Sequence, residues 1–386
     1  MIELKSFYRK IESCFAEAGE VRTAGRLATC LAPALLDRLS GPLGLSAVDV
    51  YSDSSGAIER SGHWGAGRPN LSNALVEVAR STTEPPPWLF DTPAGRAGAL
   101  RIGDGPILAL FGSHPGELRP EPSRGEFVSA LHSIQYAIEQ HLHRGEMASA
   151  MEQARAIQQS LLPPPRGVFP GFDLFASSLP ASEVGGDLYD YVPIEADVLG
   201  LMVADSSGHG LPAALQARDV SMGVRMGAER ELKITRLVEK LNRIIHRSGL
   251  VTRFISMVFG ELELNGNFMY VNAGHPPALL LDDHGIKELA VGGPLLGPIP
   301  DANYKMGFSH VDRGAALVMV SDGVIECRDP GGVEFGMERL AAWLVESRER
   351  EADASVADLV ERLRAHYGVK RPFEDDVTVM LARRLR

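Results

Sequence analysis

Residues 183–207, EVGGDLYDYVPIEADVLGLMVADSS, decide the fold of the C-terminal half of this chain. Two apolar runs, 188–192 and 198–204, flank a short connection at 193–197 and read as a strand hairpin. Asp187 opens the first run and Asp205 closes the second. The two lie symmetrically about Ala196, so antiparallel pairing places them opposite each other at the open end. Aspartate is unfavourable in strands, and its placement at both strand ends asks for a reason.

The same placement recurs further on. The run 315–320 passes through Ser321 into Asp322, and the run 377–381 follows Asp375 and Asp376. If these two strands pair antiparallel, Asp322 and Asp375 also share one edge. Clustered carboxylates repel one another and stay ionised together only when cations compensate them. An oxygen-only donor set, with no paired His or Cys nearby, selects hard ions such as Mg²⁺ or Mn²⁺ over zinc. The glycines of Gly185–Gly186–Asp187 and Ser207–Gly208–His209–Gly210 let backbone come close to an ion or substrate. Neither stretch is a phosphate loop, because the P-loop lysine and the dinucleotide fingerprint are both missing.

Around this core the remaining elements follow from periodicity and turn chemistry. Residues 254–264 and 268–271 flank Asn265–Gly266, a strong hairpin signal. Helices are expected at 212–226, 234–247, 336–347 and 355–367. Towards the N-terminus, helices at 4–18 and 27–39 (the latter ending near Gly41) precede two hairpins, 46–52 with 57–64 and 99–102 with 106–111, and a helix from about Glu126. This order resembles a GAF domain and suggests a small α+β sensor. Apolar residues at Leu131, Ile134 and Ile138, then Met147, Met151, Ala154, Ile157 and Leu161, form a helical stripe interrupted by Gly145. That stripe either packs on its own domain or pairs with its copy in a dimer. Pro163–Pro164–Pro165 stops the helix. The expected domains are therefore a sensor over 1–143, a linker helix over 144–165 and a second domain over 166–386.

Bulk properties bound the partners. The chain has 386 residues, more than one core usually organises. A formal net charge of −11 argues against nucleic acid or an anionic membrane surface as partner. Three scattered cysteines form neither a zinc spacing nor a disulfide framework, and charges occupy the place of a signal-peptide core. A cytoplasmic protein is expected.

EVGGDLYDY (183–191), VADSSGHGLPAAL (203–215), NAGHPPALLL (272–281), VSDGVIECRD (320–329) and EDDVTVM (374–380) stand in the order found in SpoIIE/RsbU-type phosphatases, which the chain resembles over about 160–382. IQQSLLP (157–163) resembles the segment entering that domain. These are bacterial members of the PPM serine/threonine phosphatase superfamily. The resemblance implies an α+β sandwich of two antiparallel sheets flanked by helices. It implies two Mn²⁺ or Mg²⁺ ions held by Asp187, Asp205, Asp322 and Asp375 together with the backbone carbonyl of Ser206. It implies in-line attack of hydroxide on phosphorus, without a phosphoenzyme. The implied substrate is a phosphoserine on a STAS-domain anti-sigma-factor antagonist, with regulation through the N-terminal region and a homodimer.

Asp190 and Asp376 read as residues supporting the ligands or as solvated. His209 reads as a loop-packing residue or a proton donor, His275 as a turn lock, and 292–297 as a conformational loop. No arginine before Asp187 stands where animal-type members bind phosphate; Arg218 and Arg253 are the candidates here. Two other functions compete: hydrolysis of small phosphoesters, and sequestration of a partner without catalysis.

Overall fold

A computed structural model describes residues 4–386 except 20, 22, 55–56, 67–69, 82–84, 93–94, 113–122, 183, 209, 229–232, 249–253 and 369–371. The chain divides into two compact units, Met1–Ala150 and Met151–Arg386.

In the first unit, α1 (Leu4–Ala18) and α2 (Ala24–Leu43) precede β1 (Leu45–Ser54) and β2 (Ala57–Gly65). Then come α3 (Ser72–Ser81), β3 (Trp88–Thr92), β4 (Gly95–Arg101), β5 (Ile107–Gly112) and α4 (Arg124–Leu161), whose residues from Met151 on fall in the second unit. The strands form one antiparallel sheet in the order β2-β1-β5-β4-β3. Both expected hairpins are present, although Ser55 and Gly56 lie outside the described residues. α2 does not stop near Gly41; it runs through Pro42 and ends at Gly44, whose φ of 62° is the left-handed cap that glycine adopts without strain.

Leu131, Ile134 and Ile138 of α4 are buried among Leu27, Leu31 and Leu35 of α2 and Leu108 of β5. The first part of the stripe therefore packs within its own unit. α4 is continuous through Gly145, and Met147 is exposed. Gly145 is no break because one glycine inside a long helix costs only about 1 kcal/mol. On the opposite face of the sheet Asp49 is wholly buried. Its carboxylate accepts from Arg60 and Tyr51, and His63 Nδ1 lies 2.5 Å away.

The second unit is a four-layer sandwich. It begins with β6 (Arg166–Phe169), β7 (Phe172–Leu179), β8 (Asp187–Glu195), β9 (Val198–Ser206), α5 (Leu211–Gly227), α6 (Ile234–Arg247), β10 (Ile255–Glu263) and β11 (Asn267–Ala273). It continues with β12 (Ala278–Asp282), β13 (Gly285–Leu289), β14 (Gly292–Gly293), β15 (Gly307–His310), β16 (Ala316–Val320), α7 (Asp322–Ile325), α8 (Gly336–Glu346), α9 (Ala352–Tyr367) and β17 (Val377–Arg384). One sheet runs β14-β11-β10-β9-β8, with β15 also on β11; the other runs β13-β12-β16-β17-β7-β6. The pairing is antiparallel except for the two-residue β11–β14 contact.

Strand alternation builds the layers, because successive side chains point to opposite faces. Leu201 and Val203 meet Leu317, Met319 and Met380 between the sheets. Met202 and Ala204 face outward under Val220 of α5 and Leu237, Val238 and Leu241 of α6. Val318, Val320, Val379 and Leu381 face outward under Trp343 of α8 and Leu359 of α9. Buried on both faces, these strands read as continuous apolar runs. Leu201→Ala, in the central layer, is expected to cost about 2–5 kcal/mol in urea unfolding, whereas Val168→Ala at an exposed site stays within about 0.5 kcal/mol.

Candidate metal centre

The β8–β9 register pairs Asp187 directly with Asp205. Asp187 is the first residue of β8, and Asp205 sits next to last in β9. In the second sheet β16 ends at Val320, and Ser321 turns the chain so that Asp322 opens the short helix α7. Asp322 is thus a helix residue one step past the strand, while Asp375 and Asp376 immediately precede β17. β17 touches both β8 and β9, so the two sheets converge at this pole.

The electrostatics show one shared neighbourhood. Asp187 is buried, and its pKa is pushed well up by that burial and then by Asp205; hydrogen bonding by Ser321 and Thr378 opposes the shift. Asp205 rises to about 7, from burial first and then from Asp322, Asp375 and Asp376. Asp322 is raised by burial and by Asp375. Oδ2 of Asp187 is buried without a hydrogen-bond partner, which is costly for a carboxylate.

Among the described residues, no three His, Cys, Asp or Glu side chains converge closely enough to hold an ion as they stand. An orphaned carboxylate oxygen amid acids of raised pKa, with only oxygen donors, fits a hard divalent cation. Asp187, Asp205, Asp322, Asp375 and the Ser206 carbonyl are the residues that would hold it. The glycine of GGD is required there: a Cβ on Gly186 would stand 2.6 Å from the Ser206 carbonyl oxygen.

Asp376 is neither solvated nor a ligand in this arrangement. It is buried, and its carboxylate accepts backbone N–H bonds from Ala181 (2.7 Å), Gly186 (2.5 Å) and Asp187 (3.2 Å). A Cβ on Gly185 would meet Asp376 Oδ2 at 2.6 Å, which is why that position is also glycine. Ser321 locks the same place from the other side. Its hydroxyl donates to the Asp376 carbonyl and accepts from Thr378 N–H.

Asp190 is a wholly buried strut. Arg225 of α5 grips both its oxygens at 2.7 and 2.8 Å, and Ser221 adds a bond of 2.9 Å. The turn at His275 is locked by the Asn272 side chain rather than by the imidazole: Asn272 Nδ2 donates to the His275 carbonyl, and Asn272 Oδ1 accepts the N–H of His275. Burial lowers its pKa to about 3, leaving a neutral ring 2.7 Å from Ser256 Oγ. Gly292 of the 292–297 loop lies so close to Asn272 that any Cβ would overlap its carbonyl oxygen. Arg218 is exposed on α5, about two turns past its start. His209 and Arg253 lie outside the described residues.

The model of the family described as Stage II sporulation protein E (SpoIIE) matches residues 195–385, a span that takes in Asp205, Asp322 and Asp375. Phosphoserine phosphatase RsbU of Bacillus subtilis (strain 168) is 30% identical over 190 residues, covering 48% of this chain and 56% of that protein. Phosphoserine phosphatase RsbP of the same organism is 26% identical over 189 residues, covering 47% of this chain and 44% of that protein. The chain thus spans about half the length of the curated relatives it matches. Among solved structures, the SiaA-PP2C domain of Pseudomonas aeruginosa superposes with a TM-score of 0.53 at 21% identity, covering 63% of this chain and 99% of that domain. The fold of the second unit is therefore the PP2C-type sandwich.

Two outcomes follow from this geometry. A carboxyl whose folded pKa lies above its unfolded value stabilises below the unfolded value, and that contribution disappears as pH rises through the folded one. In EDTA the melting temperature of the wild-type protein should fall between pH 5 and 8. Mn²⁺ should restore it at pH 8, and Asp205→Asn should flatten the pH dependence and abolish the Mn²⁺ effect. Asp376→Ala should weaken Mn²⁺ binding by about 10–100-fold in a thermal-shift titration, the usual loss when a residue orienting a ligand is removed.

Proposed function

We propose that this chain, whose residues 195–385 match the SpoIIE family model, is a member of that family and a metal-dependent protein serine/threonine phosphatase. Its substrate in this reading is phosphoserine on a STAS-domain anti-sigma-factor antagonist. The N-terminal unit acts as a GAF-like sensor, in a cytoplasmic homodimer formed through that unit and the linker helix. The observation that carries the catalytic reading is the pairing of Asp187 with Asp205 in one hairpin, at the pole that Asp322 and Asp375 share.

Two divalent ions, Mn²⁺ or Mg²⁺, would supply charge to the transferring phosphoryl oxygens and acidify water at neutral pH. The chain's own residues do the positioning. Asp376 holds the Gly185–Gly186–Asp187 turn by its backbone, so the Asp187 carboxylate is presented in a fixed place. Gly186 leaves the Ser206 carbonyl unobstructed. Ser321, directly before Asp322, is tied by its hydroxyl to the start of β17, which places Asp322 beside Asp375. Phosphoryl transfer asks little covalent chemistry of a protein and much of positioning and charge, which is what these residues supply.

Among the described residues no helix is long and apolar enough to cross a membrane. Cys14 and Cys327 are buried thiols, Cys30 is exposed, and all three are free. These observations accord with the cytoplasmic reading.

The test is phosphate release from a phosphorylated STAS-domain protein of the same organism. Full-length protein should release phosphate with Mn²⁺ or Mg²⁺ and not with EDTA, and Asp205→Asn should lower the rate by more than about a hundredfold. Equal efficiency on p-nitrophenyl phosphate and on the phosphoprotein would instead indicate a small-ester hydrolase. Binding of the partner without release would indicate a sequestering module.

A further inference from the structure

Beside Asp375 the second unit holds a cavity of about 220 Å³, lined by Gly323, Glu326, Cys327, Tyr367, Phe373 and Glu374. It lies between α7, the end of α9 and the turn that leads into β17. Its volume is below the about 300–1,000 Å³ of small-molecule sites, so it has room for one long side chain. The inner wall is aromatic. Tyr367 is buried, and its ring meets that of Phe373 at 5.5 Å between centroids, tilted by 45°.

The rim is acidic. Glu326 and Glu374 are both exposed at its edge. Their charge reaches inward: Glu326 contributes to the raised pKa of Asp322, and Glu374 to that of the Cys327 thiol. Arg328, the one cation among the described lining residues, is turned to Glu334 at 2.8 Å. An aromatic wall below a carboxylate rim suits a side chain with an apolar stem and a cationic head. An acidic or short polar side chain would gain neither contact.

We propose that this cavity takes an arginine or lysine side chain of the phosphoprotein substrate, close in sequence to the phosphorylated residue. The inference rests on reading the adjoining carboxylate pole as the phosphatase centre. Gly323 ties the two together, since it lines the cavity and directly follows Asp322. A basic side chain seated here holds the substrate segment beside Asp322 and Asp375, so binding away from phosphorus orients the phosphoryl group. Specificity in this arrangement comes from the substrate's own flanking residue as well as from its fold.

The experiment uses the full-length protein with Mn²⁺ and phosphoserine peptides of otherwise constant sequence. Arg, Ala or Glu is placed in turn at each position flanking the phosphoserine. One register should give a kcat/KM about tenfold higher for Arg than for Ala, with Glu lower still. Glu326→Lys combined with Glu374→Lys should invert that order. Glu326→Gln and Glu374→Gln should each lose part of it, so misfolding of the double variant leaves the test intact. Values within twofold for all three residues at every position would overturn the inference, as would a preference undiminished in the variants. p-Nitrophenyl phosphate, which carries no flanking residue, separates the two failures. Its turnover with a flat peptide profile rejects the cavity alone, and no turnover of any substrate rejects the phosphatase reading and the cavity with it.

Discussion

The carboxylate of Asp376 joins the two sheets where their chemistry-bearing ends meet. It stands at the entry to β17 in one sheet and accepts backbone N–H groups from Ala181, Gly186 and Asp187 at the entry to β8 in the other. Hydrogen bonds to a charged acceptor are the strong ones, and three on a single buried side chain leave the Gly185–Gly186–Asp187 turn little freedom. The glycines complete the contact, because neither position tolerates a Cβ beside Asp376 or the Ser206 carbonyl. Everything else at the pole is referenced to this joint. Asp187 is aimed by it, Asp205 is set opposite Asp187 by strand register, and the Ser321 hydroxyl, just before α7, donates to the Asp376 carbonyl.

That joint concentrates negative charge where water is scarce. Burial and neighbouring carboxylates raise the pKa values of Asp187, Asp205 and Asp322, so holding all three ionised is unfavourable for the protein alone. The sandwich offsets this cost elsewhere, in strands buried on both faces and helices packed over each sheet. The loop at the pole is also anchored from behind, through the Asp190–Arg225 pair that ties β8 to α5. A packed scaffold carrying an electrostatically strained edge is the usual division of labour where a fold carries a functional site, with binding at the places folding does not favour.

The N-terminal unit follows a different design. A single sheet is covered on one face by α1, α2 and the first part of α4, and its other face carries the buried Asp49 with His63, Arg60 and Tyr51 around it. A wholly buried carboxylate persists in a small sheet only because several donors compensate it. Nothing in the catalytic reading of the second unit needs this cluster, and it sets the first unit apart as a module with its own chemistry.

Local pattern alone determined a good deal of this protein. Apolar runs, the Asn265–Gly266 turn and helical spacing placed the hairpins and helices, and counting residues about Ala196 set Asp187 opposite Asp205. Register is readable from sequence because a one-residue slip would move every side chain to the wrong face. Only the tertiary structure decided the roles of Asp190 and Asp376. Each is a buried carboxylate whose partners are an arginine 35 residues away or backbone groups up to 195 residues away. Spacing carries no sign of such partners, because the contact exists only once two sheets have packed. The same holds for α2 running past Gly41, where burial of Leu39 and Leu43 outweighs the modest helix-breaking cost that local reading assigns to one glycine.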